Sequence, residues 1–241
     1  MKLTYILHSS FLLETEDCTM LFDHYRGNCP VIDAKKPLYI FVSHSHDDHY
    51  SKRIYAIAQD YLDADGVGVT FVLSKDVPVK HLSLDDARVA SCRLKPHDKW
   101  KDDLLSVFTL KSNDLGLAFS IHVKNGAHFA NIFFAGDLNA WNWDGDEEDM
   151  ALIRIYHKEL SLIKDMTYDL ALLPLDPRLK ENMMQGITDF FDVCGCNTMH
   201  IAPMHCWGDY AIIERAREAK DRYPYMERLL VIRREGDVFE L

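Results

Sequence analysis

The sequence predicts an α/β chain in which two β-sheets are covered by helices. Three observations predict it. Short runs rich in Val, Ile, Phe and Tyr, each bounded by turn residues, recur along the chain. They crowd the first half, whereas strand runs and helical periodicities alternate in the second. Both halves contain many runs apolar enough to be buried, which suggests two sheets.

The elements follow in order. Residues 3–7, 11–14, 19–22 and 38–42 read as strands. Ile54, Ile57, Ala58 and Leu62 then share one helical face. Strands are expected at 69–73, 105–110, 117–123 and 132–135. A second helical face carries Leu152, Ile155, Tyr156, Leu160 and Ile163. Strands at 170–173 and 200–202 precede a third helix through Ile212, Ile213, Ala216 and Ala219, which ends before Pro224. Strand order is not legible at this level. No linker, repeat or low-complexity tract divides the chain, so residues 1–241 are expected to form one domain.

Composition narrows the function classes. The 241 residues are 48% hydrophobic and 27% charged, a globular mixture. With 27 Lys and Arg against 38 Asp and Glu, the formal net charge is −11, which disfavours nucleic acid and anionic membrane as general partners. Nowhere do about 18 consecutive apolar residues appear, the length a bilayer span needs. The apolar opening is broken by His8-Ser9-Ser10, too early for a signal peptide. The six cysteines form no C-x-x-C pair and are expected to be reduced, so a cytoplasmic location is expected.

Chemistry concentrates after the strand at 38–42, where the chain reads Ser-His-Ser-His-Asp-Asp-His. His44 and His46 are two apart, so their imidazoles face one side of an extended segment. Asp48 and His49 follow at once, completing H-x-H-x-D-H. Imidazole nitrogen and carboxylate oxygen together suit a borderline divalent ion such as Zn²⁺.

This motif resembles the metallo-β-lactamase superfamily of metal-dependent hydrolases. Thr19-Met20-Leu21-Phe22-Asp23, Phe133-Phe134-Ala135-Gly136-Asp137 and Ile201-Ala202-Pro203-Met204-His205 resemble its other strand-end motifs. The opening Tyr5-Ile6-Leu7-His8-Ser9-Ser10-Phe11 is similar to the branch that includes the ascorbate-6-phosphate lactonases. The resemblance implies an αββα sandwich, two mixed β-sheets flanked by helices, with the site at one edge. It implies that His44 and His46 bind a first metal, that Asp48, His49 and His205 bind a second, and that Asp137 lies between them. Asp137 also follows a very apolar strand, where a carboxylate needs a strong partner such as a cation. Asp23 would orient ligand histidines or start a turn.

The sequence departs from the family at one motif. Residues 110–116 read Leu-Lys-Ser-Asn-Asp-Leu-Gly and lack the usual histidine. Asp114 either replaces it as an oxygen ligand or serves the turn, and Asn113 or a water molecule could also fill the place. Two Zn²⁺ ions are the expected cofactors, with Mn²⁺ or Fe²⁺ favoured if oxygen replaces nitrogen. Trp141 and Trp143 either wall the substrate pocket or pack against the next helix. Arg178 either binds an anionic substrate group through forked hydrogen bonds or is structural. Cys206 and Trp207 are expected at the rim, and Cys206 not as a ligand. His8 and His24 are expected near the site, but His81, His97, His122, His128, His157 and His200 are not.

The expected function is a metal-dependent hydrolase that uses a metal-bound hydroxide to cleave a small ester, lactone or phosphoester, with Asp48 orienting the nucleophile. The alternative is a non-catalytic metal- or ligand-binding member of the same fold. A small-molecule substrate is the expected partner, and the oligomeric state is open.

Overall fold

A computed structural model describes residues 1–79 and 86–241. The chain runs β1 (Lys2–Leu7), β2 (Ser10–Glu14), β3 (Thr19–Phe22), β4 (Leu38–Val42), α1 (Arg53–Asp63), β5 (Val69–Ser74), β6 (Val89–Leu94), β7 (Lys99–Lys101) and β8 (Leu105–Lys111). It continues with β9 (Leu117–Asn125), β10 (His128–Phe134), α2 (Glu147–Leu160), β11 (Thr167–Pro174), α3 (Gln185–Asp192), β12 (Asn197–Met204), α4 (Ala211–Glu218) and β13 (Val238–Glu240).

These strands make two mixed sheets. One is seven-stranded in the order β13-β1-β2-β3-β4-β5-β6, and the other six-stranded in the order β12-β11-β10-β9-β8-β7. Pairing is parallel from β3 to β6 and from β10 to β12, and antiparallel elsewhere. Two mixed sheets with helices on their outer faces make the αββα sandwich that the sequence resemblance implies.

Side-chain alternation assigns the layers. On β4, Tyr39 and Phe41 join the core between the sheets, whereas Leu38, Ile40 and Val42 pack with Ile54, Ala58 and Leu62 of α1 on the outer face. That is why this strand is apolar throughout. Phe22 lies 5.1 Å from Phe41 and 4.9 Å from Phe134 between ring centroids, which joins the two sheets. Phe133 points the other way, 5.5 Å from Phe190 of α3. Truncating Phe22 to alanine is expected to cost about 3–5 kcal/mol. At the start of α2, the Asp146 side chain accepts from Asp149 N–H at 2.9 Å and three acidic residues occupy the first turn, which suits the positive end of the helix dipole.

Several sequence expectations need correction. Strands β6, β7 and β13 and helix α3 were not expected. The three strands are mostly solvent-facing and at or near sheet edges, so they lack a buried apolar pattern. Helix α3 has only eight residues and contains Gly186. The buried face of α2 is Ile153, Tyr156 and Leu160, rotated from the expected Leu152–Ile155 face. Ile163 and Ala219 lie in short 3₁₀ turns after α2 and α4. Ala135 lies just beyond β10, and β12 begins earlier than expected. All six cysteines are free thiols. Among the described residues, no helix is long and apolar enough to cross a membrane.

Candidate metal centre

Parallel strands place the chemistry. Asp23, His44, Asp137, Asp176 and His205 all lie just beyond the carboxyl ends of β3, β4, β10, β11 and β12. Two sheets therefore present polar groups to one shared edge. The backbone there is unusual. His8, Asp23 and His205 have φ of 56°, 39° and 61°. A left-handed conformation costs an L-residue about 1–2 kcal/mol, so tertiary contacts must hold these turns.

Asp137 is the centre. Its Oδ2 lies 3.4 Å from His44 Nε2, while Oδ1 lies 3.0 Å from both His49 Nε2 and His205 Nε2. On the first side, His44 Nε2 and His46 Nδ1 are 3.1 Å apart, and Asp114 Oδ2 is 3.8 Å from His46 Nδ1. On the second side, Asp48 Oδ2 is 4.0 Å from His49 Nε2 and 3.4 Å from His8 Nε2. The structure thus brings His44, His46, Asp48, His49, Asp137 and His205 together, as the sequence suggests.

The donor atoms fit a cation. Asp137 Oδ1, both ring nitrogens of His205 and His8 Nε2 are buried and have no hydrogen-bond partner. Asp137 Oδ1 and His205 Nε2 are 3.0 Å apart without hydrogen-bond geometry, so both can address a third body. Nitrogen and oxygen donors at this density match a borderline divalent ion.

The charges agree. Burial opposes ionisation of Asp137, yet His49 and His205 hold its carboxyl well below the usual range. Burial likewise opposes protonation of His49, but Asp137 and Asp23 push it up to about 10. His205 is raised against burial by Asp137 and Asp176. His8 has no comparable support, and burial pushes it down to about 4. Asp114 is raised by burial and by Asp137.

A supporting layer fixes the rings. Asp23 Oδ2 accepts from His49 Nδ1 at 2.6 Å, and Asp23 Oδ1 accepts from Ser43 N–H at 2.7 Å. The Ser43 hydroxyl donates to Asp23 and lies 2.9 Å from His44 Nδ1. One carboxylate therefore orients two imidazoles, directly and through a hydroxyl. Gly116 lets the β8–β9 turn close on this segment. Its φ is +74°, and an added Cβ would sit 2.1 Å from Ser43 O. Asn113 links the same turn to the loop after β10, donating to Asn139 O at 2.7 Å.

A cavity of about 340 Å³ opens over the cluster and is lined by His46, Asp48, Asp114, Asp137, His205, Trp141, Trp143 and Arg178, among others. Trp141 and Trp143 stack with centroids 5.9 Å apart and planes 5° from parallel. Both line the cavity, with Trp141 pinned by its Nε1 donation to Asp137 O at 2.9 Å. Leu152 lines it too, which explains its absence from the core face of α2. Arg178 lies over Trp207 at 4.4 Å and Trp143 at 5.4 Å from the ring centroids. Its Nε and Nη2 donate to Asp176 at 2.6–3.0 Å. Among the described residues, no hydrogen bond takes up its Nη1.

Asp176 escaped sequence reasoning, while Asn113 and His8 take more specific places than the sequence indicates. Asp176 is fully buried, 3.8 Å from His205 Nδ1, and accepts from Trp207 Nε1 at 3.2 Å. Its place after an apolar strand is the signal that marks Asp137. Asn113, a candidate for the missing ligand, instead commits its side chain to Asn139 and Leu152 O. His8 stands closer to the centre than its segment alone could indicate. His24 is buried but joins no cluster of close donor atoms among the described residues. Cys206 donates to Met204 O at 3.9 Å and is not a donor to the cluster. His97, His122 and His157 pair with Glu159, Asn131 and Asp189 away from the site. His81 lies outside the described residues.

Comparison with known proteins places this geometry in a family. Residues 2–129, more than half of the chain, match the beta-lactamase superfamily domain. A Desulforamulus reducens protein named a metal-dependent hydrolase is 40% identical over 57 residues, covering 22% of this chain and 25% of that relative. The match thus spans about a quarter of the curated relatives' length. Igni18, described as a metallo hydrolase of Ignicoccus hospitalis, superposes with TM-score 0.61 at 15% identity, covering 100% of this chain and 98% of that one. YhfI of Bacillus subtilis, a metallo-beta-lactamase fold protein, gives 0.60 at 13% identity and covers 99% of each chain. The chain belongs to the beta-lactamase superfamily.

Proposed function

We propose that this protein is a divalent-metal-dependent hydrolase of small anionic esters, lactones or phosphoesters. The observation that carries the reading is the division of Asp137, with Oδ2 toward His44 and Oδ1 toward His49 and His205 beneath a cavity. Such a bridging carboxylate suits two cations, one with His44, His46 and Asp114 and one with Asp48, His49 and His205. Each set has two imidazoles and one carboxylate besides Asp137, a mixture of nitrogen and oxygen that fits Zn²⁺, Mn²⁺ or Fe²⁺. Bound there, divalent ions lower the pKa of water and polarise the substrate oxygen.

The chain's own groups supply the rest. Burial opposes the charge of Asp48, but His8 and His49 hold it well below the usual carboxylate range, so it is ionised at neutral pH. Its carboxylate faces the cavity, where it can accept a hydrogen bond from the attacking water and relay the proton to the leaving oxygen. Trp141 and Trp143 offer a flat apolar wall. Arg178 is the cationic side chain among the cavity-lining residues, and its Nη1 can receive a carboxylate or phosphate. This supports the lactonase-like and phosphoester substrates over neutral ones.

The test is turnover after metal removal and return. Chelator-treated protein is expected to be inactive toward a phosphorylated lactone, a nitrophenyl ester and a nitrophenyl phosphodiester, and to recover with Mn²⁺ or Zn²⁺ on at least one. Retained metal without turnover on any would overturn the catalytic reading and favour the non-catalytic binder.

A further inference from the structure

Resting on the reading that this cavity holds divalent cations, we propose that His8 is a third imidazole ligand of the His49–His205 half, and that this half holds the tighter ion. The His8, His49 and His205 donor atoms lie within 4.8 Å of one another. His8 Nε2 is buried and unpartnered, although the Asp48 carboxylate is 3.4 Å away. A buried nitrogen left without a partner costs about 1–3 kcal/mol. A cation in common with His49 and His205 removes that cost.

The position is built, not incidental. The His8 ring lies 4.2 Å from that of His205 and 4.5 Å from Trp207 between centroids. Its left-handed backbone is fixed by a 2.8 Å bond from His8 N–H to the hydroxyl of Tyr5, which is itself buried against Phe11. Three buried imidazoles with Asp137 and the part-exposed Asp48 form a nitrogen-rich donor set.

The other half is poorer in nitrogen and more open. It offers two imidazoles, and the His46 and Asp114 side chains are 46% and 47% exposed. Solvent competes for an ion held there, and Asp114 supplies oxygen where nitrogen would bind a borderline ion more tightly. The imidazole deficit at residues 110–116 is thus met on the opposite side of Asp137 by a histidine from the end of β1.

Cobalt titration of metal-stripped full-length protein, followed by equilibrium dialysis and visible absorption, decides this. Wild type is expected to take the first equivalent at least tenfold more tightly than the second. His46→Asn is expected to keep the first equivalent and its spectrum while weakening the second. His8→Asn uses a residue that accepts left-handed backbone. It is expected to weaken the first equivalent at least tenfold and to alter its d–d bands. First-equivalent binding unchanged in His8→Asn, or lost in His46→Asn, would overturn the proposal while leaving the hydrolase reading intact. Anomalous scattering from wild-type crystals holding one equivalent gives a decision independent of any variant. An ion beside His8 supports the proposal and an ion beside His46 overturns it. No cobalt uptake by wild type would instead overturn the hydrolase reading itself.

Discussion

The two oxygens of the Asp137 carboxylate face different surroundings. On the Oδ2 side, His44 is buried, but His46 and Asp114 are about half exposed and line the cavity mouth. On the Oδ1 side, His8, His49 and His205 are all buried, packed ring against ring. The Oδ1 side gathers three buried imidazoles and the part-exposed Asp48, and the Oδ2 side one buried imidazole with a half-exposed imidazole and carboxylate. Under the proposed metal-binding reading, Asp137 would serve both sides.

The largest effect should come from the shared group. Asp137→Asn is expected to weaken cation binding in both halves by more than about 100-fold, because even outer-shell partners contribute 10–100-fold. Isothermal titration with Zn²⁺ checks it, and a loss confined to one half would break the comparison. Asp23→Asn comes next. It leaves every cavity-facing group in place but releases His49 and the Ser43–His44 link, and about a 10–100-fold loss in affinity is expected.

Asp114→His sharpens the contrast in the opposite direction. A third imidazole in the open half should tighten its ion by about tenfold or more and shift preference from Mn²⁺ toward Zn²⁺ in competition dialysis. Arg178→Met probes the cavity rather than the ions. Losing one charged hydrogen bond of about 1.5–3 kcal/mol should raise KM for an anionic substrate about 10–150-fold while leaving metal content unchanged.

The smallest effect is a pH dependence. His49 and His205 have raised proton affinities in the metal-free protein, with His49 near 10. An entering cation displaces those protons, so its affinity should rise with pH below that value, by up to about tenfold per unit for each proton released. Proton release in weakly buffered solution should match the slope.

Much of this was legible because it is local. A wholly apolar strand followed by H-x-H-x-D-H carries both a structural and a chemical signal within a dozen residues. Asp137 and His205 were legible as strand ends that repeat the pattern. His8 gains its meaning only from the fold, since the end of β1 meets the end of β12 across the sandwich edge, and no spacing along the chain encodes that approach. Asp176 follows the same logic. Strands β6, β7 and β13 left weak traces because they bury little apolar surface. The face of α2 was read one residue out because Leu152 belongs to the cavity rather than the core.

Elemental analysis of the native purified protein beside Asp137→Asn tests the central claim most directly. Two divalent ions per chain in wild type, falling below one in the variant, is the expected result. Wild-type protein free of divalent metal after exposure to excess Zn²⁺ and Mn²⁺, or a variant that retains both ions, would contradict it.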